Sequence, residues 1–135
     1  MEFVHWETVR FGHVDAAGIV FFPRYFEFLN NTVEAWFEEG IGRSYKELHL
    51  AEGLGTPLVE TQAKFLKAGR LGDRLRFALT VTGIGRATID LSIICSCAGE
   101  ERMTASLRHV LVDLDPMKSR TIPDDLRDRI ERYRA

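Results

Sequence analysis

The spacing of apolar side chains predicts one long helix near the start of the chain. From residue 23 to residue 39 apolar side chains recur at steps of three and four, which is the spacing of one helical face. This stripe consists of Phe22, Phe26, Leu29, Val33, Trp36 and Phe37. Tyr25, Phe28 and Ala35 widen the stripe, so few polar positions remain for solvent or for an interface. A helix this apolar is normally buried in a core.

Proline and glycine mark the expected ends of this helix. Pro23 suits the first helical position, because its ring presets φ and the N–H that it lacks would have no intrahelical partner. Gly40 is the expected C-terminal stop. A short second helix is predicted over residues 45–52, because Ser44 and Glu47 have the Ser-x-x-Glu spacing of a capping box.

Alternation of apolar and polar residues predicts the strands. Residues 73–84 show it most clearly, because every second side chain there is large and apolar. The other predicted strands cover residues 3–10, 57–68, 86–97 and 102–114. Ala98-Gly99-Glu100 is the expected hairpin turn between the last two strands.

The last predicted element is a helix that begins near Pro123. Acidic residues in its first turn, and Arg132 and Arg134 in its last, complement the helix dipole. Its expected buried face is Ile122, Leu126, Ile130 and Tyr133. Runs of strands after a long helix predict an α+β fold, with an antiparallel sheet that curls around that helix. No linker or composition shift divides the chain, so we expect one domain over residues 1–135.

Composition excludes several classes of function. A net charge of −2 and a pI near 6.1 argue against a nucleic-acid-binding protein. There is no run of 18 apolar residues to span a membrane, and the N-terminus lacks the pattern of a signal peptide. Cys95 and Cys97 are predicted to be reduced, structural thiols of a cytoplasmic protein.

Common catalytic motifs are absent from the sequence. There is no Gly-x-Ser-x-Gly elbow of a serine hydrolase, and no His-Glu-x-x-His or paired Cys-x-x-Cys, so no metal site is predicted. Gly83-Ile84-Gly85 resembles the start of a dinucleotide-binding loop, but Thr88 replaces the third glycine and strands flank it. We interpret it as a turn.

Asp15 is the remaining candidate for catalysis. It lies in a loop of small residues directly before the predicted long helix. The first N–H groups of a helix are unpaired and can bind a developing oxyanion. A carboxylate beside them could attack an acyl carbonyl carbon, or activate a water molecule. Alternatively, Asp15 only shapes its turn, as aspartate often does.

The segment 11–25, Phe-Gly-His-Val-Asp-Ala-Ala-Gly-Ile-Val-Phe-Phe-Pro-Arg-Tyr, closely resembles the motif of the 4-hydroxybenzoyl-CoA thioesterase family, in its Pseudomonas-type branch. Residues 55–59, Phe65 before a strand and Pro123 match as well, so the resemblance covers essentially the whole chain. It implies the hot-dog fold, an antiparallel curved sheet wrapped around a long central helix.

The resemblance also implies roles for individual residues. Asp15 would be the nucleophile or general base, the backbone N–H of Phe22 would polarise the thioester carbonyl, and Gly18 would allow close approach of the substrate. Family members need no cofactor. They assemble as dimers, usually paired into tetramers, with active sites between subunits, so we expect a homo-oligomer.

Further positions are expected at the substrate. These are His13, Phe21, Pro23, Thr56, Glu60 and Arg86. Relatives can carry several adjacent basic residues that hold the phosphates of CoA, whereas this chain keeps only Arg86 there. Lys64, Lys67, Arg70 and Arg74 are alternatives, although the favoured interpretation of these four is a solvated charged face.

Three functional hypotheses follow. The first is hydrolysis of an aromatic acyl-CoA of the 4-hydroxybenzoyl or benzoyl type to the free acid and CoA. The second keeps the reaction with a short-chain acyl-CoA, 1,4-dihydroxy-2-naphthoyl-CoA or an acyl-carrier-protein thioester as the substrate. The third is a non-catalytic domain that binds acyl-CoA.

Overall fold

The computed structural model describes all 135 residues and contains eight strands and two α-helices. The strands are β1 (Phe3–Thr8), β2 (Leu54–Gly55), β3 (Leu58–Phe65), β4 (Arg74–Ile84), β5 (Thr88–Cys97), β6 (Glu100–Val110), β7 (Val112–Leu114) and β8 (Met117–Ser119). Five of them form one antiparallel sheet in the order β1-β4-β5-β6-β3. The strands β2, β7 and β8 form a second, small sheet that the sequence did not predict.

The long helix α1 (Pro23–Ala35) packs on the inner face of the large sheet. Every second residue of β4, β5 and β6 faces it, and these apolar side chains form the core with α1. Phe28 of α1 contacts Phe77 of β4, with ring centroids 5.9 Å apart. This is the hot-dog fold, so the predicted fold class is confirmed.

Gly40 does not end the long helix, contrary to expectation. The chain continues from α1 through wider, π-type turns over Trp36–Ile41, and Gly42 ends it with a left-handed φ of 83°. Gly40 lies inside this segment for a steric reason, since a Cβ there would lie 2.8 Å from a Trp36 carbon and 2.9 Å from the Tyr133 hydroxyl. Glycine therefore marks a close contact here and a helix end two residues later.

The buried face of α1 also differs from the predicted stripe. Phe22 and Phe26 are exposed, although both were expected in the core. Tyr25 and Phe28 are buried instead, together with Leu29 and the rest of the stripe. The sheet covers the side of the helix that faces β4, while the side towards β3 stays partly open because β3 is the last strand of the sheet.

The predicted strand 102–114 is in fact two strands. It breaks at Leu111, where the backbone leaves the large sheet at the end of β6 and enters the small sheet as β7. The hairpin at residues 98–100 is present, with positive φ at Ala98 and Gly99. The turn interpretation of residues 83–88 is also confirmed, since the Gly85 N–H donates to the Thr88 carbonyl between β4 and β5.

The C-terminal helix α2 (Asp124–Glu131) begins directly after Pro123, as expected. The predicted face of four apolar residues is buried. Arg132 and Arg134 lie beyond its end, so Arg129 is the basic residue of its last turn. The last residues cross to β4, where the Val81 N–H donates to the Tyr133 carbonyl. Neither helix has the combination of length and apolar character needed to cross a membrane.

Candidate active site

The loop that carries Asp15 folds back on itself immediately before α1. Val14 and Val20 pair as an antiparallel bridge, and the Asp15 N–H donates to the Ile19 carbonyl at 3.0 Å. Gly18 turns the chain with φ of 77°, and its N–H donates to the Asp15 carbonyl at 3.0 Å. Only glycine adopts this φ without strain, so the sequence fixes the shape of this loop.

The carboxylate of Asp15 is exposed on the surface of the chain. Its Oδ1 accepts a hydrogen bond from the Ala17 N–H at 2.8 Å, which is the turn-shaping contact that was the structural alternative for this residue. Oδ2 accepts no hydrogen bond, and no lysine or arginine pairs with the group. Asp15 thus shapes its turn and still presents one oxygen to an incoming molecule.

The backbone at the head of α1 offers an unpaired donor. The Phe21 N–H donates to the His13 carbonyl at 2.9 Å, and the Arg24 N–H to the Phe21 carbonyl at 2.8 Å. The Phe22 N–H between them has no acceptor, and Pro23 has no N–H. The bridge between Val14 and Val20 brings this donor to the same end of the molecule as Asp15.

An apolar hollow adjoins this loop and the head of α1. Its volume is ≈ 250 Å³, and its walls come from the loop, α1 and the end of β3. Phe65 of β3 is the central side chain, with ring centroids 6.5 Å from Phe22, 5.4 Å from Tyr25 and 6.4 Å from Phe26. The hollow suits a flat apolar group next to Phe22.

His13 lies two residues before Asp15, and Phe21 directly precedes Phe22 at the head of α1. His13 packs edge-on against Phe28 at 4.8 Å, and its Nδ1 accepts the Arg10 N–H at 2.9 Å. In the neutral ring the remaining nitrogen, Nε2, therefore carries the proton. Phe21 is half exposed and its ring lies 5.8 Å from that of Phe22.

Three predicted substrate residues lie elsewhere in this chain. Thr56 is buried near β2, and Glu60 is on the outer face of β3 opposite Arg108. Arg86 lies in the turn after β4, where its guanidinium donates to Thr121 and Ser119, both at 2.9 Å. An 11-residue strand such as β4 spans about 36 Å, and its other end lies near the Asp15 loop. A single chain does not bring these three residues to Asp15.

Two buried polar residues of the core were not identified from the sequence as candidates. The Tyr25 hydroxyl accepts the Gly69 N–H at 3.0 Å and so ties the segment before β4 to α1, while burial raises the pKa of Tyr25. His109 of β6 is almost fully buried, and its Nδ1–H donates to the Thr56 carbonyl at 2.8 Å. Its position among inward-facing apolar residues of β6 was the available signal.

Comparisons with known proteins identify the family of this chain. The model of the thioesterase-like superfamily matches residues 9–130. A 1,4-dihydroxy-2-naphthoyl-CoA hydrolase from Thermosynechococcus vestitus is 29% identical over 120 residues, which are 88% of this chain and 82% of the relative. An enzyme of the same name from Nostoc punctiforme is 26% identical over 134 residues, 99% of this chain and 90% of its own.

A solved structure of a thioesterase superfamily protein from Jannaschia sp. CCS1 superimposes with a TM-score of 0.92 at 25% identity, covering 98% of this chain and 93% of that one. The fold and the family match together define a hot-dog thioesterase. The chain belongs to the thioesterase-like superfamily. The class of enzyme expected from the sequence is confirmed at this level, and the 4-hydroxybenzoyl-CoA branch remains a prediction.

Proposed function

We propose that this protein hydrolyses an aromatic acyl-CoA thioester to the free acid and CoA. The observation that carries the proposal is the loop before α1, where a carboxylate with one free oxygen lies at the same end of the molecule as the unpaired Phe22 N–H. Membership of the thioesterase-like superfamily supports the same reaction class.

The chemistry needs only these groups and water. The thioester carbonyl oxygen accepts the Phe22 N–H, which stabilises the negative charge that develops there; one such donor typically lowers a barrier by about 2.7–4 kcal/mol. As a general base, Asp15 takes a proton from water while the water oxygen bonds to the carbonyl carbon; the C–S bond then breaks, and the leaving sulfur of CoA takes up the proton that Asp15 had accepted. As a nucleophile, Asp15 instead forms a mixed anhydride that water hydrolyses.

The curated relatives favour a bicyclic aromatic acyl group. Both are named as 1,4-dihydroxy-2-naphthoyl-CoA hydrolases, and they align with most of this chain. The hollow beside Phe22 is lined mainly by apolar side chains, which suits either a naphthoyl or a benzoyl ring. We therefore place 1,4-dihydroxy-2-naphthoyl-CoA first and 4-hydroxybenzoyl-CoA second among the substrates to test.

A panel of aromatic and aliphatic acyl-CoA thioesters, followed by release of free thiol, tests this function. Asp15→Asn keeps an oxygen for the Ala17 N–H but removes the base, so we expect turnover to fall by about 10²–10⁴-fold. Asp128→Asn makes the same change at an exposed residue of α2 and should leave turnover unchanged. Hydrolysis by the Asp15 variant at the parent rate would reject the proposed site.

Isotope labelling separates the two roles of Asp15. In a single turnover in ¹⁸O-labelled water, a nucleophilic carboxylate acquires the label when water attacks the Asp15 carbonyl of the anhydride, whereas a general base never acquires it. Mass spectrometry of the peptide that contains Asp15 reads the result.

We also propose that the working form is an oligomer built through the open edge of β3. This strand pairs only with β6, and exposed apolar side chains lie along it and on the neighbouring side of α1. They are Phe22, Phe26, Leu58, Val59 and Phe65. A second chain on this edge would also bring further side chains towards Asp15. Light scattering after size-exclusion chromatography would give the mass, and a monomer at working concentration would contradict this proposal.

A further inference from the structure

His109 is a buried histidine of which one ring nitrogen has a hydrogen-bond partner and the other has none. Only 5% of its surface is exposed. Nδ1–H donates to the Thr56 carbonyl, which fixes the neutral ring with its lone pair on Nε2. Nε2 is buried and has no partner. Burial lowers the pKa of His109, so the ring is neutral and Nε2 is an acceptor at neutral pH.

His109 also lines a groove between α1 and the inner face of β3 and β6. The groove has a volume of ≈ 360 Å³, and its walls are Phe26, Glu27, Leu29, Asn30, Val33, Leu58, Leu107 and His109. A second hollow adjoins it and shares Asn30, Leu58 and His109 with it. His109 therefore lies where the two hollows meet, with an apolar surface on the side of α1.

The groove continues from the head of α1. Phe26 lines it and also contacts Phe65, which contacts Phe22. With a rise of 1.5 Å per residue, Phe26 lies about 6 Å and Asn30 about 12 Å along the helix from Phe22. An aromatic ring whose carbonyl accepts the Phe22 N–H therefore extends along the groove in the direction of His109.

The chemistry of the groove restricts what can bind there. Its apolar walls favour a flat hydrocarbon body, and a neutral Nε2 can accept a hydrogen bond but cannot donate one. A ligand group that reaches Nε2 must therefore be a donor such as a hydroxyl, because a carboxylate or a carbonyl has no proton to share with that lone pair. A ligand that leaves Nε2 unpaired keeps a buried polar atom unsatisfied.

We propose that His109 is a specificity-determining residue that accepts a hydrogen bond from a ring hydroxyl of the acyl group, and so selects hydroxylated aromatic thioesters over the same rings without hydroxyls. This inference rests on the proposed hydrolysis of aromatic acyl-CoA and names its substrate class. His109 binds the ring and takes no part in the bond changes at the thioester.

The test compares kcat/KM for matched thioesters, namely benzoyl-CoA and 2-naphthoyl-CoA with a hydroxyl at each ring position in turn. We expect at least one hydroxylated member to exceed its unsubstituted parent by about tenfold or more, the range for a hydrogen bond to a buried acceptor. His109→Asn keeps an N–H for the Thr56 carbonyl but has no acceptor at the place of Nε2. This variant should bring the ratio of kcat/KM for the hydroxylated and unsubstituted thioesters close to one.

His49 provides the matched control. Its Nδ1 also lies 2.8 Å from a backbone carbonyl, that of Tyr45, and it lines the adjoining hollow. His49→Asn should therefore keep the preference for the hydroxylated thioester. An equal loss of preference in both variants, or an unchanged preference in His109→Asn, would overturn the proposal.

Nuclear magnetic resonance gives a second result that needs neither folding of the variant nor turnover. With ¹⁵N-labelled histidine rings, the hydroxylated product acid should shift the His109 Nε2 signal in the direction of a hydrogen-bonded lone pair, whereas the unsubstituted acid should not. The same response to both acids, or to neither at saturation, contradicts the role of His109. Failure of the hydrolysis assay with all thioesters instead contradicts the proposed function.

Discussion

The two ends of the long helix are built from similar residues but have opposite surroundings. At the head, Phe22 is 60% exposed, and its backbone N–H has no acceptor. At the tail, Trp36 is fully buried and lies edge-on to Tyr133, with ring centroids 5.7 Å apart. The head is left open for a ligand or another chain, and the tail is closed by the C-terminal segment.

This difference separates stability from activity along one helix. Burial of large apolar side chains is the main favourable term in folding, and it is concentrated at the tail. An exposed aromatic residue beside an unpaired backbone donor contributes little to folding, and in the proposed function this end of the helix binds the substrate. Substitutions at the tail should therefore change the free energy of unfolding, and substitutions at the head should change turnover.

Trp36→Ala should have the largest effect on stability. Removal of a fully buried indole is expected to lower the free energy of unfolding by about 3–5 kcal/mol, measured by urea unfolding. Phe22→Ala should lower it by less than about 1 kcal/mol, because an exposed side chain loses little burial. Phe22→Ala should also reduce turnover less than Asp15→Asn does, because the backbone N–H survives. Equal destabilisation by the two alanine variants would contradict the comparison.

Gly40→Ala should cause the next largest loss in the free energy of unfolding. The new methyl group would lie 2.8 Å from a side-chain carbon of Trp36 and 2.9 Å from the Tyr133 hydroxyl, so these rings must move. Such overpacking typically lowers stability by about 1–3 kcal/mol. Gly12→Ala is the matched change at the head of the molecule, where a Cβ meets nothing within 4 Å. Gly12→Ala should leave the stability almost unchanged. Thermal unfolding of both glycine variants beside the parent measures the difference.

Gly18→Ala tests the loop of Asp15 by backbone strain alone. There is open space around a Cβ at this position, but φ is 77°, which disfavours L-residues by about 1–2 kcal/mol. We expect that loss of stability and, because the strain shifts Asp15, a lower kcat. Gly18→Asn should lose less of both, since asparagine tolerates this φ better. If alanine and asparagine behave alike, the positive φ is not what the loop requires.

The smallest expected effect is a change in stability with pH at His109. Burial lowers the pKa of His109 in the folded chain below the ordinary value of 6.5. As the pH falls, the unfolded chain therefore binds this proton at a higher pH than the folded chain does. Proton uptake by the unfolded state lowers the stability of the fold as the pH falls. The His109→Asn protein should therefore lose less stability than the parent between about pH 7 and pH 5. Parallel curves of unfolding free energy against pH would contradict the lowered pKa.

Much of the fold could be read from the sequence because its signals are local. Alternation placed β4 and β5 to within two residues, and Pro23 and Pro123 marked the starts of both helices. The split at Leu111 was missed, because the apolar run Val110-Leu111-Val112 contains no glycine, proline or polar turn residue although the backbone changes sheets there. Gly40 was misread for a similar reason, since a close contact with Trp36 and Tyr133 has no signal in neighbouring residues.

The candidate site divides in the same way. The loop with Asp15, Gly18 and Phe22 is contiguous in the sequence, so its residues were identified together. The contribution of His109 was not, because it depends on Thr56, which is 53 residues away, and on a groove formed by α1 and two strands. The positions of Glu60 and Arg86 were also not predictable, because they depend on strand register and on which end of β4 faces the loop.

The sequence alone determined the helix starts, the strand alternation and the turn around Asp15, because each depends on side chains a few residues apart. Tertiary structure decided which side of the long helix is covered, because the order of strands places β3 at the edge and leaves Phe22 and Phe26 exposed. It also decided that one nitrogen of His109 is buried without a partner, because that follows from how strands and helix pack.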